Sequence, residues 1–237
     1  MAIAFKVIFS IIGIQIKQEL ALNETQFGLL IGAPILTGSL IRILLGILAE
    51  RYGGRIVLTL VMLAAAVAMY LLSWATTYPQ MIIAALAVGI AGGSFAAGVA
   101  YISHWYPTER QGAALGTFTV GHVGVALTLI VAPLVLVPFG WRTVAQIWAV
   151  ALVVMAVLFW LGARNDPVTR ERQRLSEQLE PLRHLQVWRF SLYYFFVFGA
   201  FVGLSLWLPR YLIGAYGLDL ATSGMVAASF ALPAAAF

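Results

Sequence analysis

The chain has 237 residues, of which 62% are hydrophobic and only 10% charged, and its mean hydropathy is +0.95. A soluble domain of this size does not sustain such values, so a polytopic membrane protein is expected. The formal charge of +5 does not argue for nucleic acid, because the basic residues lie in short loops between apolar runs, and the lack of cysteine removes disulfides and thiolate metal sites.

A helix crosses a bilayer core with about 20 apolar residues. On that measure the chain divides into eight segments: Met1 to Ile16, Phe27 to Ala49, Ile56 to Ala75, Gln80 to Trp105, Gly112 to Pro138, Thr143 to Ala163, Val187 to Leu208 and Leu220 to Phe237. The first has no basic leader and no small-residue cleavage site, so a cleaved signal peptide is not expected. The last stops inside an apolar run. The chain therefore reads as truncated at its C-terminus and open to clipping at its N-terminus.

One set of loops carries Arg51, Arg55, Arg110, Arg164, Arg170, Arg172, Arg174 and Arg183, with Arg189 at the next membrane edge, whereas the opposite set has Lys17, Arg142 and Arg210. Positive-inside weighting puts the first set and the N-terminus in the cytoplasm. The stretch from Arg164 to Gln186 is the one long polar segment and follows six spans, as a linker between two halves would. At a lag of 196 residues Leu22 matches Leu218, Asn23 matches Asp219 and Gly28 matches Gly224, which superposes the second span on the eighth. Transporters built from repeated halves produce such a pattern.

Within the second span, Arg42 is a full charge in a helix-length apolar run. Its insertion costs about 2.5 to 3.5 kcal/mol, so it must face a protein interior or a water-filled path, and it reads as functional. Its planar fork of donors suits a flat oxyanion better than the point charge of lysine does. At the lag above, its partner would fall at position 238.

Other polar residues carry less. His104 and Tyr106 precede Pro107 at a span end, as interfacial anchors do, and His184 sits in the linker. Gln146 either hydrogen-bonds across helices or lines the path. Lys6 is close enough to its span's start to snorkel, and Trp74, Trp105, Trp141, Trp188 and Trp207 mark span ends.

The turn after the second span reads Gly46-Ile-Leu-Ala-Glu50-Arg51-Tyr-Gly53-Gly54-Arg55. It resembles the gating signature of the major facilitator superfamily, with Glu50 where Asp is usual and Gly54 where Arg is usual. An acid at a helix end and arginines in a glycine-tight turn can pair with a neighbouring span in one conformation and release it in another. A second region, Gly92-Gly93-Ser94-Phe95-Ala96, Gly112-Ala-Ala-Leu115-Gly116 and Gly121-His122-Val123-Gly124, with Ala132-Pro133, is similar to the nitrate/nitrite porters of that superfamily. Small residues at such spacings let helix backbones approach closely and leave room for a small substrate.

The resemblance implies an all-α membrane protein of the major facilitator fold: a six-helix bundle over residues 1–163, a cytoplasmic linker over 164–186, and the first two helices of a second bundle over 187–237. It implies that Arg42 binds the anion, that Tyr194 donates it a hydrogen bond, and that Phe95 and Phe198 enclose a flat substrate from its two faces. His122 stands where the family usually has Asn. A neutral imidazole there replaces the amide, whereas a protonated one adds a second cation and a route for protons, and both readings stay open. Gly46, Glu50, Arg51, Gly53 and Arg55 form the gate.

The expected function is alternating-access transport of nitrate or nitrite across the cytoplasmic membrane. The partners are the anion, the lipid bilayer and, on the second reading of His122, protons. No cofactor, metal or nucleic acid is called for, and the absence of a nucleophile, paired carboxylates or a phosphate loop argues against an enzyme. A carrier of another small solute, and a non-transporting sensor or decayed fragment, are the alternatives.

Overall fold

A computed structural model describes residues 2–165 and 180–231, with the side chains of residues 2–7, 122 and 231 left aside. Most of the expected linker, including Arg170, Arg172 and Arg174, lies outside the described residues. The described chain is helical throughout: α1 (Ala2–Glu19), α2 (Glu24–Tyr52), α3 (Gly54–Leu72), α4 (Tyr78–Val88), a 3-10 turn (Gly89–Gly93), α5 (Ser94–Ser103), α6 (Thr108–Thr119), a 3-10 turn (Val120–His122), α7 (Val123–Gly162), a 3-10 turn (Glu180–Arg183), α8 (Leu185–Tyr216) and α9 (Leu220–Ala231). The described residues of each of the eight apolar segments read from the sequence fall mainly on this helical framework. The fourth and fifth spans are each interrupted by a 3-10 turn, and the fifth and sixth form two arms of α7 divided at Gly140, whose φ of 77° breaks the helix.

Helix ends follow local chemistry. Asn23 caps α2, its Oδ1 accepting from Gln26 N at 2.8 Å while the Gln26 side chain accepts from Asn23 N at 3.1 Å. Gln80 Oε1 accepts from the Thr76 and Thr77 amides ahead of α4 at 2.9 and 3.3 Å. Between α2 and α3 the chain reverses at Gly53, whose φ of 95° favours glycine. These caps extend the second span by three residues at each end beyond its apolar run. The seventh runs further still: α8 passes through Pro209 and ends at Tyr216, so Arg210 lies on a helix rather than in a loop.

Helix α7 packs against α1, α3 and α9, while α2 packs against the first 3-10 turn and α5, and α1 against α8. The core contains Ile8, Phe9, Phe27, Leu30, Met69, Leu129 and Val144, with Leu206, Ala227 and Ala228 added from α8 and α9. Leu40, Val137, Leu161 and Val197 stand exposed instead. Outward apolar belts of this kind suit hydrocarbon, not water. Among the described residues, five helical runs are long and apolar enough to cross a membrane, one of them the 55-residue run Thr108–Gly162 that contains both arms of α7.

The loops gather at two faces. One, here the far face, holds Lys17 to Glu24, Trp74 to Tyr78, Phe139 to Arg142 and Tyr216 to Leu220; the other, the linker face, holds Tyr52 to Arg55, His104 to Thr108, Ala163 to Asn165 and Glu180 to Leu185. On the far face Arg142 Nη2 donates to Glu19 Oε1 at 2.8 Å and Trp141 Nε1 to Glu19 Oε2 at 2.6 Å. The Arg142 hydrogen bond, then that of Trp141, holds the Glu19 carboxyl below its usual range. Such a carboxylate stabilises the fold above its unfolded pKa and loses that contribution as pH falls through the folded one. Thermal melting of the full-length protein is therefore expected to weaken on acidification, and Glu19→Gln to flatten that slope; a Glu19→Gln variant with the parental slope contradicts the tie.

Candidate functional site

Arg42 sits at the middle of α2, and the glycine run of the fourth span is what lets another backbone approach it. A Cβ placed on Gly93 would stand 2.6 Å from Leu45 Cδ1, 2.8 Å from Ile41 Cγ2 and 3.4 Å from the Arg42 amide nitrogen. Gly89 lies as close to α2 one turn earlier, where a Cβ would meet Pro34 O at 2.6 Å. Real side chains do not occupy such gaps, so the 3-10 turn Gly89–Gly93 is fitted to α2 by the absence of side chains.

Across from α2, the Arg42 guanidinium faces the Tyr194 phenol of α8 closely enough for its charge to act there. Arg42 Nε is itself buried and finds no hydrogen-bond partner among the described residues. A buried guanidinium N–H without an acceptor is costly, and a small anion is the kind of group that relieves it. Tyr194 stacks on Phe198 with ring centroids 4.9 Å apart and planes 12° from parallel. Phe95, at the first turn of α5 two residues after Gly93, has its ring 5.5 Å from that of Phe118 on α6.

The fold thus brings Arg42 to Tyr194 and Tyr194 to Phe198, while Phe95 follows by two positions the glycine that packs on the Arg42 backbone. His122 closes the 3-10 turn that follows Phe118, and its side chain lies outside the described residues. Phe118 escaped the reading of the sequence, since an isolated aromatic in an apolar helix carries no signal of its own. Gln146 donates to Ser73 Oγ at 3.5 Å, an interhelical bond at the limit of length.

At the linker face the glycine-arginine turn is built around Arg55. Its Nε and Nη2 donate to the Trp160 carbonyl at 3.1 and 2.5 Å, its Nη1 donates to Asn165 Oδ1 at 3.3 Å, and its guanidinium lies over the Trp160 ring at 4.2 Å. A cation at the end of the sixth span complements the partial negative charge of its last carbonyls. Gly54 rests on Tyr101: a Cβ would fall 2.5 Å from the Tyr101 Cβ, so the arginine usual at this position has no room. The Tyr101 hydroxyl in turn donates to the Arg164 carbonyl at 2.7 Å. Arg51 lies over the Tyr52 ring at 5.4 Å. Glu50 and Gly46 sit on the last turns of α2, and a Cβ on Gly46 would meet Ala96 at an ordinary 3.9 Å.

A bundle of membrane-length helices, a half-buried cation within the bundle and a glycine-arginine turn at the linker face are the marks of the major facilitator fold. The chain belongs to the Major Facilitator Superfamily, whose family model matches residues 1–237. It is 41% identical to a probable nitrate/nitrite antiporter, NarK1, of Thermus thermophilus over 95% of this chain and 54% of that protein. It is 35% identical to a probable nitrate/nitrite transporter, NarK2, of Mycobacterium tuberculosis (92% and 56% covered) and 30% identical to a nitrite extrusion protein of Bacillus subtilis (91% and 55% covered). The resemblance read from the motifs is borne out by these relatives, and the chain spans about half of their length. Among solved structures, a bacterial homolog of the human lysosomal transporter Spinster, in an inward-facing and occupied conformation, superposes with a TM-score of 0.77 at 20% identity, over 98% of this chain and 55% of that one. At that identity the likeness concerns the fold alone.

Proposed function

We propose that the full-length protein moves nitrate and nitrite across the cytoplasmic membrane by alternating access. The observation that carries this reading is the buried, unpartnered Nε of Arg42 beside the Tyr194 phenol, and the names of the relatives at 30% to 41% identity support it. A trigonal oxyanion offers three coplanar acceptors. The guanidinium fork takes two in its own plane, and the phenol is placed to donate to the third. Phe95 and Phe198 supply apolar faces above and below, which disfavours bulkier tetrahedral anions.

In this reading residues 1–163 form one rocking half, 164–186 the linker, and 187–237 the start of the other half. The linker face and the N-terminus are cytoplasmic, the far face is outside, and the outward apolar belts meet lipid. The turn Gly46, Glu50, Arg51, Gly53 and Arg55 gates the cytoplasmic side.

Counterflow in proteoliposomes tests the cargo. Labelled nitrate is expected to exchange with nitrate and nitrite and not with sulfate or small carboxylates; exchange indifferent to the anion's shape contradicts the planar site. Proton coupling rests on His122 alone. A pH profile of nitrate uptake that is unchanged in His122→Asn removes it, and a flattened profile assigns it to the imidazole.

A further inference from the structure

At the far face one carboxylate ties three helices together. Glu24, the first residue of α2, accepts from Lys17 Nζ of α1 through Oε1 at 2.5 Å and from Arg210 Nη2 of α8 through Oε2 at 2.6 Å. Beneath it the Phe27 ring carries the Arg210 guanidinium at 4.4 Å on one approach and Lys17 Nζ at 5.5 Å on another. Trp207, one turn before Arg210 on α8, meets Phe27 edge-on with centroids 6.1 Å apart and planes at 83°. The five side chains form a knot in which α1 and α2 belong to the first half of the carrier and α8 to the second.

The burial of α8 follows the same division. Its buried residues are Ser205, Leu206 and Pro209, all in the far half, whereas Trp188, Phe190, Tyr193 and Phe195 toward the linker face are exposed. At the linker face Arg55 is engaged with Trp160 and Asn165 of its own half and not with α8. Among the described residues, α8 is tied by charge to α1 and α2 at the far face.

We propose that Glu24 is an outer latch: bridged to Lys17 and Arg210, it holds the far face shut, and breaking the Glu24–Arg210 bond is a step of every turn that opens that face. This rests on the alternating-access reading but not on the identity of the cargo. The Glu24 side chain is 70% exposed and that of Arg210 29%, so the bridge adds little to the stability of the fold. A latch needs no more, because two carrier conformations lie close in free energy and a bond present in only one of them shifts their ratio by its full worth. Lys17 makes the device specific. It belongs to the same half as Glu24, so it keeps the carboxylate charged and aimed at α8 when the halves part.

The test is a distance measurement across the far face in the full-length protein, with spin labels at Thr76 and Ala215, both exposed and outside the knot. Glu24→Gln and Arg210→Gln should each raise the population of the longer, opened distance at least threefold. The mirror-image triple Lys17→Glu, Glu24→Arg and Arg210→Glu should restore the parental distribution, which a loss of packing alone would not permit. The two single variants break the same bond from opposite halves, so failure of one to accumulate leaves the other. Unchanged distances in both, with nitrate flux intact, overturn the latch. A distance response as expected in a protein that moves no nitrate overturns the cargo assignment and leaves the latch standing.

Discussion

Replacing Arg42 with lysine is expected to weaken nitrate binding about 30-fold, or ~2 kcal/mol, while leaving the fold and the charge of the site intact. Lysine keeps the cation but presents it as a point, so one in-plane hydrogen bond to the anion is lost and the remaining one is no longer oriented. The close packing beside the residue sharpens the effect. Gly93 meets α2 at the Arg42 backbone, and the buried Nε sits where a shorter, rotating ammonium cannot reproduce it. Equilibrium binding of labelled nitrate to the purified full-length protein reads this directly, and near-parental affinity in Arg42→Lys removes the argument for planar recognition. Arg42→Gln, which loses the charge as well, should abolish measurable binding.

A methyl group on Gly224 is expected to be nearly as damaging by a different route. Pro133 of α7 has no N–H, so the carbonyl of Leu129 one turn earlier lacks its helical donor. Gly224 of α9 packs into that notch so closely that a Cβ would overlap the Leu129 oxygen and stand 2.9 Å from the Pro133 ring. Neither obstacle is a side chain that can turn aside. Gly224→Ala must therefore push α9 off α7, at a cost at the upper end of the ~1 to 3 kcal/mol typical of overpacking. A lowered melting temperature and reduced flux are the expected results, and a variant that melts and transports as the parent does contradicts so close an approach.

The architecture was legible in the sequence because a membrane forces each span to announce itself in about 20 apolar residues. Ends were less legible: the apolar run Phe27 to Ala49 stops short of the cap Asn23 and the reversal at Gly53, which are set by single hydrogen bonds and one dihedral. Arg210 lies past the apolar run Val187 to Leu208 and so reads as a loop cation, yet α8 continues through Pro209 to Tyr216, as a membrane helix can when its neighbours satisfy the freed groups. Arg42 declared itself by its cost of insertion, and Tyr194 did not, since a tyrosine in an aromatic-rich span is ordinary. Only the family likeness named it, and the fold then placed it against the guanidinium. The Glu24–Arg210 bond joins residues 186 positions apart, a pairing that no local pattern encodes.

Arg55 addresses the peptide oxygen of Trp160, an atom every amino acid supplies. Position 160 can therefore change identity over evolution or in a designed variant and forfeit only the stacking of the indole, whereas position 55 has no such freedom. A comparison of sequences that looks for paired changes between the two sites would pass over the tie that fastens the third helix to the end of the sixth span.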